Sequence, residues 1–238
     1  MVPDVCFLPW NLQANSVSLH PVADTTLQQS YPNNNFGDGT TFTAGGRRYG
    51  GITRALIEFD IANNVPSGAT INSVTLTLNV VGTPNGGFNS TFDLRRLLDS
   101  WGEGTGADHR GSPVAPNQAD WALRFSPGTS WNTPGGDFAT TASASKGIAG
   151  NAAYTFASTA TLIGDVQGWL NTPSQNAGWI LMSESEGQGT SIRRFGSRDS
   201  GASAPTLTID FTPVPEPGTW ALLGLGALCL FWRRPPSS

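Results

Sequence analysis

Ile71-Asn72-Ser73-Val74-Thr75-Leu76-Thr77-Leu78-Asn79-Val80 is the stretch whose reading decides the fold class. Val74, Leu76, Leu78 and Val80 alternate with Thr75, Thr77 and Asn79. Successive side chains of a β-strand point to opposite faces, so this period of two gives one apolar face and one hydroxyl face. It is the pattern of a half-buried strand in an antiparallel sheet. Downstream, Leu207, Ile209 and Phe211 alternate with Thr206, Thr208 and Asp210 in the same way. Upstream, Ala55, Ile57, Phe59 and Ile61 share one face while Arg54, Glu58 and Asp60 take the other. Phe92, Leu94 and Leu98 predict a further strand after the turn Pro84-Asn85-Gly86-Gly87, and Pro66 to Thr70 reads as another turn. One segment has a different period. Leu162, Ile163, Val166, Trp169 and Leu170 recur at helical spacing and stop before Asn171-Thr172-Pro173, which predicts one short helix at the edge. No repeat of about 20 to 50 residues is present, so a propeller or solenoid is excluded. The expectation is an all-β antiparallel sandwich, jelly-roll-like.

Composition agrees. The 238 residues suffice for one large β domain. Charged residues are only 13%, against about 25% in ordinary soluble domains. Eight Trp and 12 Phe beside a net charge of -4 argue for a packed core rather than disorder. That charge also provides no basic field for a phosphate backbone, which excludes nucleic acid as a main partner. With 29 Gly and 17 Pro the chain is punctuated too often for long helices. Cys6 and Cys229 lie near the two ends, so the body carries no disulfide framework.

At the C-terminus Val214-Pro215-Glu216-Pro217-Gly218 leads into a largely apolar span from Trp220 to Trp232, followed by Arg233-Arg234. Thirteen helical residues rise about 20 Å against a hydrocarbon core of about 30 Å, short for a permanent anchor. The arginine pair would stay cytoplasmic, with everything upstream outside. This order of Pro-Glu-Pro, short apolar helix and Arg cluster resembles the PEP-CTERM sorting signal of bacteria. The resemblance implies export, a transmembrane helix over Trp220 to Trp232 that holds the chain before processing, and an exosortase-type membrane protease cutting near Pro215, Glu216 and Pro217. It also implies delivery to the cell surface or extracellular matrix. At the other end, Met1 to Gln13 has neither a basic start nor a long apolar run, and residues 1–15 read as a signal-peptide remnant ending near Leu12-Gln13-Ala14. The expected organisation is 1–15, a folded body over 16–213, and a sorting tail over 214–238.

A second resemblance covers the body. Ala23-Asp24-Thr25-Thr26-Leu27, Asn33-Asn34-Asn35-Phe36-Gly37 and Arg54-Ala55-Leu56-Ile57-Glu58-Phe59-Asp60 are followed by Ser100-Trp101-Gly102-Glu103-Gly104-Thr105. Arg194-Phe195-Gly196-Ser197-Arg198-Asp199 then precedes Pro205-Thr206-Leu207-Thr208. Together these blocks resemble the DNRLRE family, which is related to a class of carbohydrate-binding modules. The resemblance implies a β-sandwich or jelly roll; the ligand does not follow from it, since one fold hosts many functions.

Sugar binding needs aromatic faces for the C–H side of pyranose rings and planar polar groups for the hydroxyls. Trp101, Trp121 and Trp131 stand in polar, glycine-rich stretches and are the candidate platforms, with Glu103 as a polar partner. A tryptophan in a sandwich also serves to fill the core or close its ends, as Trp169 and Trp179 do by pattern. Arg47, Arg48 and Arg110 are suited to uronate carboxylates. A catalytic reading would use Asp99, Glu103 and Asp108 around Trp101 as acid and base. The alternative is structural, with Glu103 accepting backbone amides. Loop oxygens also suit calcium, although no EF-hand spacing is present. His20 and His109 have no second ligand at metal spacing, and no Gly-x-Ser-x-Gly elbow occurs. The expectation is therefore an exported, non-catalytic protein that binds extracellular polysaccharide or builds it into a matrix. The alternatives are a glycan-active hydrolase or lyase using the Asp99 to Asp108 loop, and a structural surface protein with no glycan ligand.

Overall fold

The computed structural model describes residues 14–107 and 110–214. Its strands are β1 (Asn15–Leu19), β2 (Ala23–Gln28), β3 (Asn34–Asn35), β4 (Thr41–Gly46), β5 (Ile52–Glu58), β6 (Thr70–Gly82), β7 (Ser90–Arg96) and β8 (Ser112–Pro113). They continue with β9 (Leu123–Phe125), β10 (Thr129–Ser130), β11 (Ala144–Ile148) and β12 (Ala153–Phe156), then helix α1 (Ala160–Asn171), β13 (Trp179–Ser183), β14 (Arg193–Gly196) and β15 (Thr206–Thr212). Eleven strands form one antiparallel sheet in the order β1-β15-β6-β14-β4-β5-β13-β7-β11, with β12 added to β6 and β2 to β5. The short pairs β3–β8 and β9–β10 stand apart.

The period-two stretch is the spine. β6 pairs with β15 from Thr70↔Thr212 to Thr206↔Thr77, and its far end passes to β14 at Val80 and Gly82. β14 pairs with β4, and β4 hands over to β5 at Gly45↔Thr53. Gly45 has φ +117°, and a Cβ there would sit 2.8 Å from the Ile192 Cα, so only glycine lets β4 turn at this relay. Through the relay the sheet curls, and both halves share one core. Val74, Leu76, Leu78, Leu207 and Ile209 from one half pack with Ile57, Phe92, Leu94, Trp179 and Leu181 from the other.

The expected helix is present, and it closes the core. Thr159 caps it, its Oγ1 accepting the Leu162 amide at 3.0 Å. Leu162, Val166, Trp169 and Leu170 are its buried face. Asp165 lies among them and is satisfied by Trp179 Nε1 (2.9 Å), Ser143 Oγ (2.5 Å) and Arg96 Nε (3.2 Å).

One strand expectation needs correction. β7 ends at Arg96, and Leu98 is exposed rather than inward with Phe92 and Leu94. Leu97 is buried instead, in a second core on the outer face of the sheet. Leu27, Leu56 and Ile180 point to this face, and residues 97–143, the excursion between β7 and β11, cover it.

Candidate functional site

The excursion over residues 97–143 holds the tryptophan and carboxylate candidates named from sequence, and most of them serve to pin it down. A long connection with few ladder bonds needs apolar anchors to lie on a sheet. Trp101, Trp121 and Trp131 are those anchors, exposed by only 7%, 9% and 3%. The Trp101 indole N–H donates to Ala177 O (3.0 Å) and that of Trp131 to Asp120 O (3.1 Å). Trp121 lies under the Arg54 guanidinium, 5.5 Å from its ring, and Arg54 also stacks on Phe138 at 5.3 Å. The same guanidinium donates to both oxygens of Glu186, at 2.5 and 3.1 Å, and to Gly135 O. A sugar platform must offer its ring face to solvent, and these three rings face the second core. The carboxylates of this region are similarly engaged. Asp120 accepts the amides of Ala122 and Leu123, and Asp137 accepts those of Asn132 and Thr133.

Glu103 ties the excursion to the body. Its Oε1 accepts the Asp24 amide and the Arg198 Nε, each at 2.9 Å. Asp24, 2% exposed, accepts the Arg198 amide at 2.7 Å. Burial raises the Asp24 carboxyl to about 7, with the Arg198 amide opposing and the charges of Glu103 and Asp199 adding. Burial likewise raises Glu103, and takes Glu58 to about 7 with help from the charges of Asp60 and Glu103. Asp99 pairs only loosely with Arg124, at 3.8 Å. Arg110 is exposed, its backbone oxygen accepting Asn34 Nδ2 at 2.9 Å. Asp108 and His109 lie outside the described residues. Among the described residues no group of three or more His, Cys, Asp or Glu could hold a metal ion.

Asn35 is the hinge pin between this loop and the rest. It is fully buried and uses all four bonding positions of its amide: Nδ2 donates to Glu103 O and Ala119 O, and Oδ1 accepts the amides of Gly37 and Gly106. A Cβ on Gly106 would stand 1.9 Å from Asn35 O, so this approach of two backbones requires glycine.

Beside that hinge opens a cleft of about 740 Å³. Its floor is the face of β2 and β4 bearing Thr26, Gln28, Thr41 and Thr43, and its walls are Tyr31, Phe36, the Arg47-Arg48-Tyr49 hairpin tip, Pro84 and Asn85, and Arg194. Tyr49 is 91% exposed with the Arg48 guanidinium 5.5 Å from its ring. Arg47, Arg48 and Arg194 have no ion-pair partner among the described residues, and no described lining residue is Asp or Glu. A cleft lined by three arginines without an ion-pair partner among the described residues, in a chain of net charge -4, is a local reversal of field that favours anions.

The model of carbohydrate-binding module family 96 matches residues 15–159. The chain belongs to carbohydrate-binding module family 96. In this family 96 module the match runs from β1 through β12 and includes the cleft residues from Thr26 to Ala107, whereas Ile192 and Arg194 follow it. The strands after the match, β13 to β15, complete the same sheet. A second match, to the PEP-CTERM protein-sorting motif, spans residues 213–234, and it marks the family 96 module for export and sorting to the cell surface. No curated protein matches the chain.

Pro215, Glu216, Pro217, the span from Trp220 to Trp232, and Arg233 and Arg234 lie outside the described residues, as does 1–13. No helix among the described residues is long and apolar enough to cross a membrane. The last described residues do fix where the tail leaves. Thr212 pairs with Thr70 at the start of β6, and Val214 lies over Gly68, while Pro84 and Asn85 of the cleft follow its other end. The 13 residues of β6 put about 40 Å of strand between tail exit and cleft.

Sequence reasoning singled out Arg47 and Arg48 but missed Tyr31, Tyr49 and Gln28. The available signal was Gly45-Gly46-Arg47-Arg48-Tyr49-Gly50-Gly51, two cations and an aromatic held between glycine pairs at a hairpin tip.

Proposed function

We propose that the protein is a non-catalytic binder of anionic extracellular polysaccharide, and that the cleft between β2, β4 and the Arg47-Arg48-Tyr49 tip is its binding site. The observation that carries this reading is the pairing of three guanidinium groups with an exposed tyrosine in a cleft without described carboxylates. Guanidinium forks suit carboxylate or sulfate oxygens, and Tyr49 supplies a flat face for a sugar ring. The hydroxyls of Thr41 and Thr43 add hydrogen-bonding capacity along the floor. Glu103 supports the absence of catalysis, since its Oε1 is engaged by the Asp24 amide and the Arg198 guanidinium in tying the loop to the body.

The sorting tail gives the site its setting. An exosortase-type membrane protease acts on Pro215, Glu216 and Pro217, with Trp220 to Trp232 in the membrane and Arg233 and Arg234 on its cytoplasmic side. The tail leaves at the end of the sheet opposite the cleft, so a chain held by that tail presents the cleft outward, towards polysaccharide.

The test is affinity electrophoresis of the full-length protein, in mild detergent, through gels containing polygalacturonate, dextran sulfate or neutral dextran. The expected result is retardation by an anionic polymer, weakened by salt, with no new reducing ends or unsaturated products. Product release that disappears in Glu103→Gln would establish a hydrolase or lyase instead. Free migration in every gel would favour a structural surface protein.

A further inference from the structure

Four buried side-chain polar atoms have no hydrogen-bond partner among the described residues: Thr25 Oγ1, Gln28 Nε2, Arg95 Nε and Trp169 Nε1. Gln28 alone among them lines the cleft. An amide N–H withdrawn from water and left unpaired is destabilising, and folded proteins rarely retain one without a use. Gln28 ends β2, paired with Thr53 on β5, and only 3% of it is exposed. Its neighbour on the same face, Thr26, is occupied, its Oγ1 accepting the Thr43 amide at 3.0 Å. Thr53 is occupied as well, donating to Gly45 O. The backbone of β2 and β4 thus holds Gln28 at the floor, and nothing on the floor satisfies it.

Resting on the reading of the cleft as the polysaccharide site, we infer that Gln28 is a specificity-determining residue whose amide N–H is kept for an oxygen of the bound sugar. The arginines and Tyr49 stand at the rim, where water and salt screen them, and they attract any anionic polymer that reaches the opening. Gln28 lies below, out of water, where a donor discriminates strongly between a ligand that offers an acceptor at that depth and one that does not. Rim and floor divide the work: charge brings the chain in, and the buried amide selects the residue that seats.

The experiment compares the full-length protein with Gln28→Met and Gln28→Glu, measuring both thermal midpoint and affinity for the anionic polymer among polygalacturonate and dextran sulfate that retards the wild type more. Methionine matches glutamine in length and removes the unpaired polar group, so the midpoint stays level or rises while affinity falls about tenfold. Gln28→Glu turns the donor into an acceptor and adds a negative charge to the floor, and its affinity for the anionic polymer falls further than that of Gln28→Met. A structural role would give the reverse, a lowered midpoint with unchanged affinity in Gln28→Met, and that outcome would overturn the inference. Wild-type binding with both variants equal to it overturns the role of Gln28 and leaves the cleft reading intact, whereas absence of wild-type binding to either polymer overturns both.

Discussion

Replacing Asp24 by asparagine should make the protein more stable at alkaline pH and leave it unchanged in acid. Asp24 is 2% exposed, and burial raises its carboxyl from an ordinary 3.8 to about 7. Between those two values the folded chain holds a proton that the unfolded chain has released, so stability falls as pH rises through that window and levels off above it. At ~1.4 kcal/mol per pH unit, the ionised carboxylate costs the folded state up to about 4 kcal/mol by pH 8. The asparagine of the Asp24→Asn variant would carry no charge, and its side-chain oxygen can still accept the Arg198 amide that now lies 2.7 Å from Asp24 Oδ2. The assay is urea unfolding of both proteins at intervals from pH 4 to pH 8. The expected difference is near zero at the acid end and grows to about 2 to 4 kcal/mol in favour of Asp24→Asn at the alkaline end. Glu58 titrates in the same window in both proteins and cancels in the comparison. A constant loss of stability at every pH would refute the reasoning, since it would mean that Asp24 acts as an ion-pair partner and not as a buried acid.

Other perturbations separate the loop from the cleft. Asn35→Ala strands Glu103 O, Ala119 O and the amides of Gly37 and Gly106, and at ~1 kcal/mol for each lost bond the expected destabilisation in urea is about 3 to 4 kcal/mol. Trp131→Ala should destabilise by about 3 to 5 kcal/mol through the second core, while polysaccharide affinity per folded molecule stays as in the wild type. Arg54→Met leaves the half-buried Glu186 without its guanidinium and uncovers Trp121 and Phe138. Hydrogen exchange over residues 119–138 should quicken in it, with β6 and β15 unaffected.

The halves of the structure were unequally legible. Residues 74–80 and 206–212 alternate strictly because one side of their sheet faces water, and there period two reads burial directly. β5 and β13 carry the unbroken runs Ala55-Leu56-Ile57 and Trp179-Ile180-Leu181, which is what burial on both faces requires. Reading only Ala55 and Ile57 from the first run hid the second core. The tryptophans of residues 97–143 then looked like platforms because their neighbours are polar, yet those polar neighbours are occupied as well: Asp120 and Asp137 fold the loop around the rings. Neighbours in sequence describe the loop's outer surface, whereas a tryptophan's fate depends on the sheet beneath it. The cleft was harder still, because its residues come from β2, β4, β14 and several separate connecting segments, and only the curl of the sheet brings Gln28 and Arg194 to one opening.

The most direct test of the account is the affinity of Arg47→Gln/Arg48→Gln for the anionic polymer that retards the wild type, with Trp131→Phe as the control for a disturbed loop. The guanidinium groups of half-buried Arg47 and exposed Arg48 together contribute up to about 2 kcal/mol, so the double variant should bind about tenfold more weakly at low salt, and Trp131→Phe should bind as the wild type does. Undiminished binding by the double variant, with affinity lost in Trp131→Phe, would place the polysaccharide on the tryptophan loop and contradict the cleft.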